Sequence, residues 1–128
     1  ETTMNVTEQQ RPAATVLPGI AHATWAGRAA GVDQIEIWRQ SLAPGSATPP
    51  HRHDCDEVVL CESGSGEVHS EGRVLRFGAA SVISLPRDRV HQILNVGRVP
   101  LEITGIFAAS PPVTISAEGA PLPLPWRG

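Results

Sequence analysis

The chain has 128 residues, a formal net charge of −3, twelve glycines, twelve prolines and no tyrosine. Its basic residues are all arginine and never gather into a patch, so there is nothing to neutralise a row of phosphates, and neither nucleic acid nor an anionic membrane is an expected partner. The absence of lysine excludes Schiff-base chemistry through a lysine amine, and no apolar run approaches the roughly 20 residues that span a bilayer.

The first residues, ETTMNVTEQQR, are polar throughout and do not read as an uncut signal peptide. Either Met4 is the initiator or a signal has already been removed; a cytoplasmic location is favoured, with a secreted or periplasmic one as the alternative. Asn5-Val6-Thr7 is a glycosylation sequon, relevant only to a eukaryotic secretory route. We expect a flexible tail over 1–15 and a single domain over 16–128 that ends in a Pro-rich strap at 119–128. Many short apolar runs between glycines and prolines predict an all-β chain. Strands are expected at 22–26, 34–42, 57–62, 66–70, 73–77, 81–85, 91–96 and 101–108. Turns are expected at Pro44-Gly45, 63–66, Glu71-Gly72 and 95–97.

Alternation over the second of these strands puts Ile35 and Ile37 on one face and Glu36, Trp38 and Gln40 on the other. If the latter face lines the interior, it supplies an aromatic wall and an amide, which suits a planar ligand with a polar head. Glu36 is then also the available general base, with Cys55 the other candidate. Cys55 and Cys61 stand six residues apart on one expected strand, on the order of 20 Å, too far to bridge. Cys55 is expected as an inert buried thiol, and His22 and His69 as structural or surface histidines.

The densest chemistry lies at His51-x-His53-x3-Glu57, residues of one strand parity that can face one interior. Two imidazoles and a carboxylate suit a divalent transition metal. Downstream, Pro86-x-Asp88-x2-His91-x3-Asn95 offers a third imidazole. Gly45-x5-His51-x-His53-x3-Glu57-x6-Gly64 matches the first motif of the cupin superfamily at every spacing. The second motif fits at Pro86, His91 and Asn95, but seven residues rather than five separate Gly78 from Pro86, and Asp88 replaces a glycine. The chain therefore resembles a single-domain cupin, a jelly-roll β-barrel.

A narrower likeness rests on Gly19-Ile20-Ala21-His22, Glu36-Ile37-Trp38-Arg39-Gln40, Thr48-Pro49-Pro50-His51-Arg52-His53-Asp54-Cys55-Asp56-Glu57, Ser110-Pro111-Pro112 and Leu122-Pro123-Leu124-Pro125-Trp126. In this order they resemble the auxin-binding protein 1 family of plants. The resemblance implies a homodimeric barrel that binds indole-3-acetic acid or a similar aromatic carboxylate. It implies a divalent metal held by His51, His53, Glu57 and His91, zinc first, with Fe2+, Mn2+ or Ni2+ as alternatives. Gln40 and Thr48 would meet the ligand carboxylate. Leu17, Ile20, Trp38 and Pro49 would form one part of the apolar slot, and Ile115, Leu124 and Trp126 the other. Leu122 and Leu124 stand where the family has phenylalanines, and no cysteine near either end matches the family's terminal disulfide. A microbial relative without the hormone-signalling role is expected. The alternative reading is a metal-dependent cupin enzyme, a dioxygenase or isomerase, using the same ligands.

Overall fold

The computed structural model describes residues 3–126 and, within them, eleven strands and one 3-10 turn. A six-stranded antiparallel sheet has the order β1 (Ala13–Ala14), β2 (Ile20–Ala26), β3 (Glu36–Leu42), β10 (Leu101–Phe107), β5 (Glu57–Ser63), β8 (Val82–Leu85). Opposite it lie a three-stranded sheet, β7 (Arg73–Phe77), β6 (Gly66–Ser70), β9 (Gln92–Asn95), and a pair formed by β11 (Thr114–Ser116) and β4 (His51–His53). Bridges Ala47↔Leu94 and His51↔His91 join these two smaller sheets. The result is an all-β jelly roll.

Alternation fixes which side chains enter the interior. On β3 the pattern buried, half-buried repeats from Glu36 to Leu42, and β10 repeats it from Leu101 to Phe107. Both strands carry β-branched or aromatic residues on two faces, as central strands do. Their register stacks inward rows across the sheet: Ile20 beside Leu42 beside Leu101 at one end, and Trp38 beside Gly105 beside Val59 further along. Leu42 and Leu101 are fully buried, with Val59, Val68, Ile83 and Ile93 around them. At roughly 1.5–3 kcal/mol for each large side chain removed from water, this cluster supplies most of the stability.

The eight expected strands are all present. Two short ones, β1 and β11, were not expected, and the extended stretch expected to run from His51 through Cys61 is broken at 54–56 into β4 and β5, which leaves Cys55 between strands. Two or three residues are too few to show a period, and each exists because a partner strand pairs with it: β1 with β2, β4 with β11. Within the first fifteen residues, the Trp25 indole N–H also donates to Gln10 O at 2.8 Å.

The motif residues without metal-binding groups shape the backbone. Gly45 and Gly64 have φ of 81° and 98°. At Gly64 a Cβ would come within 2.9 Å of the Leu101 Cα, so no other residue fits. Asp88, which replaces the expected glycine, indeed sits at φ 64°. Aspartate tolerates this left-handed region better than most residues; its backbone N–H donates to His53 O at 2.8 Å and its carboxylate lies 3.5 Å from Arg52. The Asn95 side chain donates to Leu42 O and Val99 O and accepts from the Gly97 N–H, which closes the turn after β9.

Candidate metal centre

His51 and His53 lie at the two ends of β4, His91 is bridged to His51 just before β9, and Glu57 opens β5. Their inward parity brings them to one point. The ligand atoms of the three histidines lie within 4.8 Å of one another and can hold a metal ion. Glu57 Oε1 is 3.7 Å from His53 Nε2 and 3.6 Å from His91 Nε2. Gly105 makes room for this carboxylate, since a Cβ there would lie 3.1 Å from Glu57 Oε2.

The backbone sets the tautomer of each ring. A carbonyl oxygen can only accept, so His51 Nδ1–H donates to Pro49 O at 2.7 Å, His91 Nδ1–H to Arg89 O at 3.1 Å and His53 Nδ1–H towards Val113 O at 3.3 Å, beside Thr114 Oγ1 at 3.1 Å. Each Nε2 therefore presents a lone pair to the interior. Such outer partners are what orient metal-ligating imidazoles. Glu57 Oε1 and His91 Nε2 are buried yet have no hydrogen-bond partner. Leaving them so costs about 1–3 kcal/mol each, so these residues fit a divalent cation.

The electrostatics agree. Burial pushes the Glu57 carboxyl up to about 8. Burial, helped by the neighbouring His51, lowers His91 to about 4 against the opposing pull of the Arg89 carbonyl. Burial also lowers His51, opposed by its bond to Pro49. Each group resists the charged form that a proton would give or leave behind, and a cation removes the conflict for all of them.

Above the metal cluster is a chamber with about 40 Å3 of free space. Trp38, Gln40, Thr48 and Pro49 line it, with Leu17 from the turn before β2, Ile20 from the start of β2, and Leu124 and Trp126 from the strap. Ile115 is not among the lining residues; alternation along β11 brings Thr114 inward instead, where it meets His53. Sequence reasoning missed Thr114, and the only available signal was its two-residue strand parity with Ser116. Leu122, noted in the sequence only as a replacement for a family phenylalanine, also lines the chamber with Leu124. Thr48 Oγ1 accepts the Ile93 N–H at 3.0 Å, so its hydroxyl hydrogen is available to a ligand. Trp38 packs on Phe107 at 4.3 Å and meets Trp126 edge-on at 5.2 Å. Glu36 is buried on the inward face, but its carboxylate accepts from the Trp38 indole N–H and from Ser110, away from the chamber. Cys55 is half-buried and does not line the chamber; burial pushes its thiol up.

A family profile described as "Auxin binding protein" matches residues 4–118. The chain belongs to this family. Auxin-binding protein 1 of Arabidopsis thaliana is 39% identical over 108 residues, covering 77% of this chain and 54% of that protein. The chain thus spans about half the length of the relatives it matches. Among solved structures, a cupin 2 conserved barrel domain protein from Salinispora arenicola superposes with a TM-score of 0.68 at 21% identity, covering 83% of this chain and 89% of that one. An oxalate decarboxylase superposes with a TM-score of 0.74 at 22% identity, covering 84% of this chain and 30% of that one. These likenesses establish the cupin fold. Among the described residues no helix is long and apolar enough to cross a membrane.

Proposed function

We propose that this chain is a zinc-binding cupin that reversibly binds a small aromatic carboxylic acid such as indole-3-acetic acid, and does so as a homodimer. The observation that carries the reading is the convergence of three backbone-fixed imidazoles and a buried carboxylate beneath a largely apolar chamber whose wall also carries Gln40, Thr48 and Thr114. His51, His53, Glu57 and His91 would hold the ion. A divalent ion held there would supply a positive anchor for a carboxylate oxygen. Thr48 donates its hydroxyl hydrogen to the same head group, and Gln40 meets it from β3. Trp38 and Pro49 flank the ring while Leu17, Ile20, Leu124 and Trp126 exclude water.

An indole ring needs more than the free space left around Trp126, so binding moves the strap outward and Trp126 becomes the outer wall. The homodimer is supported by exposed Leu60 and Val82, paired neighbours on the outer face of the six-stranded sheet. A single domain over 16–128 is part of the proposal, with β1 (Ala13–Ala14) of the preceding segment adding a strand to its sheet.

Metal analysis of protein purified without an affinity tag, followed by calorimetric titration with indole-3-acetate and with plain acetate, tests the function. About one zinc per chain and binding that requires the ring are expected. Iron or manganese with no ring-dependent binding would overturn it in favour of a metal-dependent dioxygenase or isomerase.

A further inference from the structure

We propose that His22 is a positioning residue that anchors one end of the Gln40 amide and, by exchanging its ring tautomer, lets the other end match the ligand head group, an inference that rests on the binding function above. His22 on β2 is paired in register with Gln40 on β3, and both are buried. Its Nδ1 lies 3.0 Å from Gln40 Nε2, and its Nε2 lies 2.7 Å from Thr24 Oγ1. The ring cannot swing away: the Trp126 indole stacks on it at 3.9 Å with 9° between planes, and Trp38 meets it edge-on at 5.3 Å.

A primary amide has a donor end and an acceptor end, so whichever end His22 takes, the chamber receives the other. In the arrangement present, Gln40 Nε2–H donates to Nδ1, His22 keeps its hydrogen on Nε2 and donates it to Thr24, and the Gln40 carbonyl oxygen is left for the chamber. A carboxylate facing that oxygen would meet two acceptors with no hydrogen between them. In the opposite arrangement Nδ1–H donates to the Gln40 oxygen, the Thr24 hydroxyl donates to Nε2, and the Gln40 NH2 group turns to the ligand. Thr24 can donate or accept, so the exchange keeps both the Gln40 and the Thr24 hydrogen bonds. A carboxylate, which can only accept, selects the second arrangement, whereas an alcohol hydroxyl, which can donate or accept, is served by either. Sequence reading assigns His22 a structural or surface place; the Gln40 bond gives it a part in ligand choice.

The test uses the metal-loaded protein, titrated with indole-3-acetate and with the corresponding alcohol, indole-3-ethanol. His22→Phe keeps a flat ring against Trp126 but can neither donate nor accept. It should lose about tenfold in affinity for the acetate, the worth of one hydrogen bond to a charged group, with the alcohol changed by no more than about twofold. His22→Asn, whose amide can serve either end of Gln40, should recover acetate binding to within about threefold. Nitrogen NMR of the wild-type His22 ring should show its proton move from Nε2 to Nδ1 on saturation with the acetate. Equal loss of both ligands in His22→Phe, unchanged acetate affinity, or a ring proton that stays on Nε2 would overturn the proposal while the binding function stands. Wild-type protein that binds neither ligand would overturn both.

Discussion

The two ends of the barrel interior share four strands, β2, β3, β10 and β5, and along these they differ in everything but parity. Along β2 the inward row runs from Ile20 to His22, and along β3 from Leu42 through Gln40 and Trp38 to Glu36. β10 runs from Leu101 and Ile103 to Gly105 and Phe107, and β5 from Cys61 and Val59 to Glu57. Strand alternation decides only that a side chain enters. Position along the strand decides whether it joins the apolar core or the polar groups towards the metal cluster, and Ile20, Val59 and Ile103 serve both as core and as chamber lining. The closed end supplies rigidity, and the chamber end spends some of it on groups held away from water.

The sharpest way to break this comparison is to remove a metal ligand. His51→Ala should abolish metal binding, and ligand binding with it, while the apolar end keeps the chain folded; metal content measured by mass spectrometry, with circular dichroism for the fold, decides this. At the other end, Leu101→Ala should cost about 2–5 kcal/mol in denaturant unfolding and leave the metal stoichiometry unchanged. Loss of metal in that variant would mean that the two ends are not separable.

The metal-free protein should also show the chamber in its pH dependence. Glu57, raised to about 8 in the fold, binds a proton there that the unfolded chain releases earlier, so stability falls as pH rises towards that value. His91, lowered to about 4, stays neutral where the unfolded chain charges, so stability also falls as pH drops towards that value. Denaturant midpoints of the metal-free protein should therefore peak at about pH 5–6, and metal loading should remove the decline above it. A flat profile without metal would mean that the carboxylate is not desolvated.

Smaller effects probe the strap and the second motif. Trp126→Ala should weaken binding of an aryl acetate by about tenfold with the metal retained, which calorimetry on the zinc-loaded variant will show. Equal affinity would place the strap outside the site. Asp88→Val puts a β-branched residue at φ 64° and should cost about 1–2 kcal/mol in thermal or denaturant unfolding, whereas Asp88→Gly should stay within about 1 kcal/mol of the wild type.

The long strands were legible because seven residues of alternation, as in Glu36 to Leu42, leave a period that composition cannot hide. The metal cluster was legible for a different reason: His51, His53 and Glu57 share one short stretch and one parity. What escaped was assembled over long distances. Thr114 reaches His53 only because β11 returns to β4, sixty-one residues later in sequence. Ile115 was expected in the slot by likeness alone, and a one-residue difference in parity keeps it from lining the chamber. The Nδ1 anchors on Pro49, Arg89 and Val113 are backbone carbonyls, and a carbonyl carries no mark in the sequence.

Trp126 lying flat on His22 has an optical consequence. The chain has three tryptophans and no tyrosine, and two of the three, Trp38 and Trp126, face the chamber. Near-ultraviolet emission thus comes largely from side chains that a bound ring must touch, so a non-fluorescent aryl acetate titrated into unlabelled protein should change its colour and yield. The barrel carries its own reporter dye, placed where occupancy is decided.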